Sequence, residues 1–456
     1  MAFKLVKPAP AADESSTTPK DVDARLRERL RIKKLRAKRP DLSNRLILGL
    51  ALAGPGLLVM LGDNDAGSVI TYAQTGAIYG VSLFLPLLIP LALIAYLVQE
   101  MTIRLGTVTR HGHAELIWKR YGAFWGAFSL IDLVVANSLT LMTEFIGVRV
   151  ASSVFGVSYL ITIPLTLIFV IATLLCLKYR SWERFSLAIA VFNLVFIPLA
   201  LCAHPDWNAI GRVFAGNGWH VPGGLFSASF LILVAANIGT TLSPWQLFFQ
   251  QSCVVDKGLL PKDIAASRID LMAGVLGMVL VALAVIILGT KLHGLPNAVA
   301  FDSDHMLLAI GDKIGHAAMT VFALGLIEAG VIAAIVITAS TAWSIGGAFN
   351  LPHSLNLSPR QALGFYGPAI ACTTLAAGML MLPHVPMGFL NLTVQMVATI
   401  LLPASMLFLL MLLNDRELLH DHVNSRLRNI LTIGVIILLV ACGGLYGVAS
   451  VFPHAL

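Results

Sequence analysis

Apolar runs of roughly 20 residues recur along almost the whole chain, separated by short stretches in which charge, proline and glycine gather. Each run is long enough to cross a hydrocarbon core about 30 Å thick as a helix. Their boundaries predict about eleven spans, near residues 47–76, 81–103, 123–153, 158–177, 183–203, 226–250, 270–290, 317–347, 362–382, 388–413 and 428–451. A transmembrane barrel would show segments of about ten residues with alternating polarity, and that pattern is absent. The expected fold class is therefore an all-α polytopic membrane protein whose partners include the lipid bilayer itself.

Composition agrees: of 456 residues 57% are hydrophobic and only 12% charged, which excludes an ordinary soluble domain with a charged surface. The charges that remain are unevenly placed. Alternate connections carry Arg104, Arg110, Lys119 and Arg120; then Lys178, Arg180 and Arg184; then Lys257, Lys262 and Arg268; then Arg360; then Arg416, Arg426 and Arg428. The opposite connections hold only Arg212, Lys291 and Lys313. By the positive-inside rule the first set faces the cytoplasm, so a multi-pass protein of the plasma (inner) membrane is expected, with its N-terminus cytoplasmic and its C-terminus external.

Residues 1–45 read as a basic, largely disordered cytoplasmic segment, with "ARLRERLRIKKLRAKRP" its most basic stretch. No aromatic interleaving or binding module accompanies it, so an orientation signal that touches anionic headgroups is expected rather than a nucleic-acid-binding arm. No apolar h-region precedes the first span, which must act as its own insertion signal. Cys176, Cys202, Cys253, Cys372 and Cys442 are scattered singly and read as small buried hydrophobes.

Two spans are interrupted by residues that a lipid-facing helix would not tolerate. In "GPGLLVMLGDNDAGSVITYAQTGAIYG" the polar group Asp63, Asn64, Asp65 and Ser68 falls in the middle of the first span. In "AANIGTTLSPWQLFFQQS" Gly239, Thr240, Thr241, Ser243 and Pro244 would break helical bonding in the sixth. Both lie at the start of a five-span block, so the chain divides into a first repeat (46–203), a second repeat (226–413) and an extra span (428–451) within a transporter domain of residues 46–451. Matching interruptions in two halves point to an inverted-repeat transporter with its site at the midplane. A carboxylate at that depth costs at least ~2.5 to 3.5 kcal/mol on insertion scales, which a bound cation or a watery cavity would offset. Asp65 with freed backbone carbonyls suits a hard cation; Asp63 either joins it, lines the access path or caps the broken helix.

Other polar positions carry weaker expectations. His111 and His113, in "RHGHAEL", fall in a cytoplasmic loop with no evident third ligand. Asp302, Asp304 and His305 read as a solvated external loop that could attract cations. Glu328, within the eighth span, is either a packing partner or a pathway residue. No nucleotide-binding Gly-rich loop followed by Lys-Ser/Thr is present, so neither ATP nor any other cofactor is implied, and the chain does not read as an enzyme.

At the two interruptions the chain resembles the NRAMP family of divalent-metal transporters. That family carries Gly-Pro-Gly followed by Asp-Pro-Gly-Asn in its first span, matched here by "GPGLLVMLGDNDAGS" with Asp65, Ala66, Gly67 and Ser68 in the last four places. Its sixth-span Ala-Thr-Val-Met-Pro-His-Asn stands against "TTLSPWQ", Thr240 to Gln246. "RLGTVTRHGHAELIWKRYG", Glu144 with Ile146 and Gly147, and Gln395 ahead of Pro403 extend the likeness over roughly residues 45 to 450. The resemblance implies a LeuT-like inverted repeat working by alternating access, with a divalent metal between broken helices one and six. It assigns Asp65 to the metal-binding aspartate, Ser68 to an asparagine ligand's place, the Thr240 carbonyl to a backbone ligand and Gln395 to a nearby tenth-span glutamine.

The departures shape the expected cargo. The family's thioether ligand is replaced by Ser243, which removes the preference for soft ions, and small hydroxyls at Ser68 and Ser243 leave room for the waters that Mg²⁺ keeps. The combination looks like the NRAMP-related magnesium transporter branch, carrying Mg²⁺ and Mn²⁺. The family's titratable sixth-span histidine and third-span aspartate are Trp245 and Leu141 here, so weak or no proton coupling is expected, with Glu144 the remaining proton-pathway candidate. The alternatives are a proton-coupled Mn²⁺ importer of the ordinary family type and an organic-solute carrier on the same fold.

Overall fold

The computed structural model describes residues 54–219, 221, 224, 227–296 and 303–451; the basic N-terminal segment and Asp302 lie outside this range, as does the side chain of Asp304. Among the described residues the chain is helical throughout. The helices are α1 (Pro55–Gly62), α2 (Ala66–Tyr79), α3 (Phe84–Thr109), α4 (His113–Val154), α5 (Tyr159–Cys176), α6 (Tyr179–Ala190), α7 (Phe196–Cys202), α8 (Trp207–Phe214) and α9 (Ala228–Thr241). They continue as α10 (Pro244–Asp256), α11 (Ile264–Gly289), α12 (Ser303–Lys313), α13 (His316–Ala348), α14 (Leu363–Met379), α15 (Met387–Leu413), α16 (Arg416–Leu419) and α17 (Arg426–Val451).

Nine stretches among the described residues are long and apolar enough to cross a membrane, and α14 is a shorter apolar helix. With the α1–α2 pair they correspond one for one to the expected segments, and the protein is an all-helical multi-pass membrane protein. The third span begins where expected: Gly122, whose non-helical backbone with a φ of 86° suits only a residue without Cβ, separates the turns that start at His113 from the long helix that follows. The seventh starts earlier than expected, at Ile264, because Asp263 and Pro261 form a short turn that feeds the helix directly.

The histidine pair is also placed differently. His113 opens α4 rather than sitting in a loop, and both rings are buried. His111 meets Glu115 at 2.9 Å and His113 Nδ1 lies 3.1 Å from the Gln251 side chain, so each is used in packing the start of α4.

The interrupted helices occupy the middle of the bundle. Leu58, Val59, Met60, Val69 and Ile70 of α1 and α2 have no exposed surface, whereas the peripheral α5 exposes Leu160, Ile161, Leu165 and Ile168 to the lipid side. The basic connections gather at one end. Arg120 pairs with Asp415 at 2.6 Å, Lys257 with Glu183 at 3.0 Å and Arg268 with Glu100 at 2.5 Å, joining connections from both halves of the chain. At the opposite end Lys291 donates to the carbonyl of His204 at 2.7 Å.

Candidate metal centre

Each break follows from its local sequence. Helix α1 stops at Gly62, and Asp65, with extended backbone, becomes the N-cap of α2: its carboxylate accepts the Ser68 N–H at 2.6 Å. Helix α9 ends at Thr241 because Leu242 and Ser243 are extended and Pro244, which has no N–H to donate, begins α10. The last carbonyls of α1 and α9 are thereby released from helical bonding, and the negative ends of both helix dipoles face the breaks.

The two breaks meet. The Ser68 hydroxyl lies 3.4 Å from the carbonyl oxygen of Thr240, so Asp65, Ser68 and Thr240 are brought together. All three are buried, as are Asp63, Asn64, Ser243 and Gln395. A carboxylate that accepts a single N–H keeps lone pairs for a cation, and the Thr240 carbonyl and Ser68 hydroxyl add neutral oxygen. Among the described residues no cluster of three or more His, Cys, Asp and Glu side chains suits a metal, so any ion held here relies on mixed carboxylate, hydroxyl and backbone oxygen.

The other expected residues have separate partners. Asp63 accepts a hydrogen bond from the Gln246 side chain, whose own carbonyl accepts from Gln99 at 3.2 Å, while the second Asp63 oxygen is buried without a partner. Asn64 donates to the Met278 carbonyl at 3.3 Å and leaves its side-chain oxygen unpartnered. Ser243 turns its hydroxyl back onto the end of α9, donating to the Gly239 carbonyl at 2.8 Å. Gln395 stands over Gly67: a Cβ built there would lie 2.5 Å from its amide nitrogen and 2.8 Å from the Thr143 hydroxyl, so a larger residue would displace the polar side chains that α4 and α15 bring to this point.

Glu144 reaches the same place from α4. Its carboxylate accepts the Ala66 N–H at 3.0 Å, the peptide group directly after Asp65, and the Thr143 hydroxyl at 3.0 Å. Leu141 and Trp245 are buried apolar neighbours on their own helices. Glu328 is largely buried on α13, and neither of its carboxylate oxygens has a hydrogen-bond partner.

Several residues around the break were not singled out from the sequence. Asn391 donates to the Gly67 carbonyl at 3.1 Å and to Thr71 at 3.0 Å; lying one helical turn before Gln395, it shares that residue's face, and this spacing was the available signal. Gln246 and Gln99 hold Asp63, and the Tyr72 hydroxyl meets Thr241 at 3.2 Å. Such long-range partners leave no periodic trace in the chain.

In fold, the chain is similar to the manganese transporter of Eremococcus coleocola, with a TM-score of 0.71 at 21% identity over 92% of this chain and 91% of that one. It is also similar to MhsT, solved in complex with L-phenylalanine, with a TM-score of 0.53 at 13% identity over 87% and 98% of the two chains. These likenesses establish the LeuT-like fold. In sequence it is 28% identical over 306 residues to the divalent metal cation transporter MntH of Erwinia tasmaniensis, covering 64% of this chain and 71% of that protein. The corresponding protein of Latilactobacillus sakei is 29% identical over 48% of each chain. The expected magnesium branch finds no support in these relatives, which are named for divalent metals or manganese. The profile of the natural resistance-associated macrophage protein-like (Nramp) family matches residues 56–449, and the chain therefore belongs to this family of transporters, not to an enzyme family.

Proposed function

We propose that this protein is a secondary transporter of divalent metal ions and that Mn²⁺ is its principal cargo. The observation that carries the reading is the meeting of Asp65, Ser68 and the Thr240 carbonyl where two broken helices face each other. The names of the sequence relatives and of the similar manganese transporter support the cargo. Alternating access would expose this one site to each side in turn. The basic end of the bundle is assigned to the cytoplasm, which puts the N-terminus inside and the C-terminus outside.

Mg²⁺ is the second cargo to weigh, favoured by Ser243 where a thioether would otherwise select soft ions. The placement of Glu144 supports proton coupling more than the loss of two titratable groups opposes it. Its carboxylate and that of Asp65 flank a single peptide group, so the arrival of a divalent cation and the charge state of Glu144 are electrostatically linked. A double charge gains up to ~4.6 kcal/mol per 100 mV of inside-negative potential, so uptake has a driving force even before coupling is added.

The test is uptake of Mn²⁺, Mg²⁺ and Ca²⁺ into proteoliposomes with and without a pH gradient. Saturable Mn²⁺ uptake that is stimulated by an inward proton gradient is expected. Absence of uptake for every ion, with phenylalanine or another organic solute transported instead, would overturn the metal reading.

A further inference from the structure

Three arginines at the basic end of the bundle converge on one carboxylate. Glu100 of α3 meets Arg104 Nε at 3.0 Å, Arg268 Nη2 at 2.5 Å and Arg428 Nη2 at 3.8 Å. Among the described residues these arginines have no other ion pair, so the cluster carries an excess of two positive charges. Their situations differ. Arg104 is buried and fully engaged, donating also to the His422 carbonyl and the Asn424 side chain. The Arg268 and Arg428 side chains are 37% and 35% exposed, and Arg428 sits beyond hydrogen-bond distance of Glu100.

An apolar groove begins where this cluster ends. It has a volume of about 420 Å³ and is lined by Tyr96, Arg268, Ile269, Met272, Ala273 and Leu276. Tyr96 lies one helical turn from Glu100 on α3, and Met272 one turn from Arg268 on α11. The stripe from Arg268 to Leu276 is about 12 Å long at 1.5 Å per residue, with Ile269, Met272 and Leu276 turned outward. One element of the surface thus joins an under-neutralised cationic head to a shallow, open apolar face.

We infer that the groove between α3 and α11, headed by Arg268 and Arg428, is a binding site for an anionic phospholipid. The phosphodiester takes the unused guanidinium N–H groups in the planar, bidentate geometry that arginine favours. One acyl chain lies along Tyr96, Met272 and Leu276. A lipid of net negative charge neutralises the excess on the cluster, whereas a choline headgroup brings its own cation against the arginines. Basic recesses between helices on the cytoplasmic side are established places for such headgroups. Because Glu100, Arg104, Arg268 and Arg428 link α3, α11 and α17, the lipid would also brace the last span against the bundle.

The test is native mass spectrometry of the detergent-purified full chain, titrated with dioleoylphosphatidylglycerol and dioleoylphosphatidylcholine, which share their acyl chains. Retention of the anionic lipid is expected to exceed that of the neutral one by roughly fivefold per arginine engaged. Arg268→Gln should reduce that preference about fivefold. Ala273→Trp, which fills the groove and leaves every arginine in place, should reduce retention independently of any effect of Arg268 on folding. Equal retention of the two lipids by the wild type would overturn the proposal, as would indifference to Ala273→Trp. Displacement of the bound lipid by millimolar inorganic phosphate would make the cluster a simple phosphate site and overturn it as well. None of these outcomes depends on which ion is carried.

Discussion

Asp270 on α11 holds the first helix by its N-terminus: one carboxylate oxygen lies 3.1 Å from the Gly54 N–H and the other 2.8 Å from the Gly56 N–H. The start of α1 is thus capped from the opposite half of the chain. Lys257 and Glu183, paired at 3.0 Å, crowd Gly54 from a second side, and Tyr179 ties Glu183 to the carbonyl of Cys253. In the alternating-access reading proposed above, this clasp holds the end of α1 that would move when the site opens to this side.

Removing the clasp should therefore loosen α1. Charge-assisted hydrogen bonds are worth about 1.5 to 3 kcal/mol each in net terms, so Asp270→Ala should shift the local opening equilibrium at least tenfold. Cys253 is fully buried beside the clasp. In a chain that keeps it as the sole cysteine, its labelling by a charged maleimide should accelerate by about that factor, and bound Mn²⁺ should restore protection. Unchanged labelling would mean that α1 is held by its apolar packing alone.

Asp65→Ala should abolish metal transport while leaving an inserted, folded protein. The variant loses the carboxylate that meets Ser68 beside the Thr240 carbonyl, and binding measured calorimetrically should vanish with uptake. Asp63→Ala should be milder, affecting apparent affinity, because the Asp63 carboxylate is engaged by Gln246 whereas that of Asp65 meets Ser68. Equal losses in the two variants would place both carboxylates on the ion.

What the chain disclosed in advance has a physical pattern. The spans were legible because bilayer thickness dictates the length of an apolar run, and the breaks because Asp63, Asn64, Asp65 and Pro244 contradict such a run at mid-depth. The turns ahead of Gly122 were not, since "RHGHAELIWKRY" is polar enough to read as a loop until Glu115 and Gln251 are seen to pair with His111 and His113. Nor were the Asp270 clasp and the reach of Arg268 to Glu100, whose partners are more than 160 positions apart. For Ser243 the residue type was informative, but the direction of its hydroxyl depends on a backbone carbonyl that no sequence pattern reveals.

Glu144→Gln tests the coupling. The amide can still accept the Ala66 N–H, so the cap on α2 persists, while the titratable group is gone. Wild-type proteoliposomes should acidify internally in proportion to Mn²⁺ entry, read with a pH-sensitive dye. The variant should carry Mn²⁺ down its own gradient with that signal reduced at least tenfold. A level internal pH in the wild type would restore the uncoupled reading that Leu141 and Trp245 suggest.

Ser243→Met asks whether ion choice at this site is a matter of ligand chemistry. The wild-type hydroxyl donates to the Gly239 carbonyl, so its proton braces the end of α9 while its oxygen keeps its acceptor lone pairs. Methionine removes that hydrogen bond, brings a polarizable sulfur to the start of α10 and takes up space otherwise open to water carried by the ion. Soft ions should gain from the sulfur, and Mg²⁺, which dehydrates reluctantly, should lose from the lost space. Single-contact discrimination is worth on the order of 1 to 3 kcal/mol, so the Cd²⁺ to Mg²⁺ preference should rise by roughly ten- to a hundredfold in competition uptake. Ser243→Ala separates the two effects: it removes the hydrogen bond without adding sulfur or bulk, and should leave the ratio within a few fold of wild type. If the alanine variant moves the ratio as far as the methionine variant, Ser243 acts by positioning the α9 carbonyls, and selectivity belongs to the Thr240 oxygen that those carbonyls carry to Ser68.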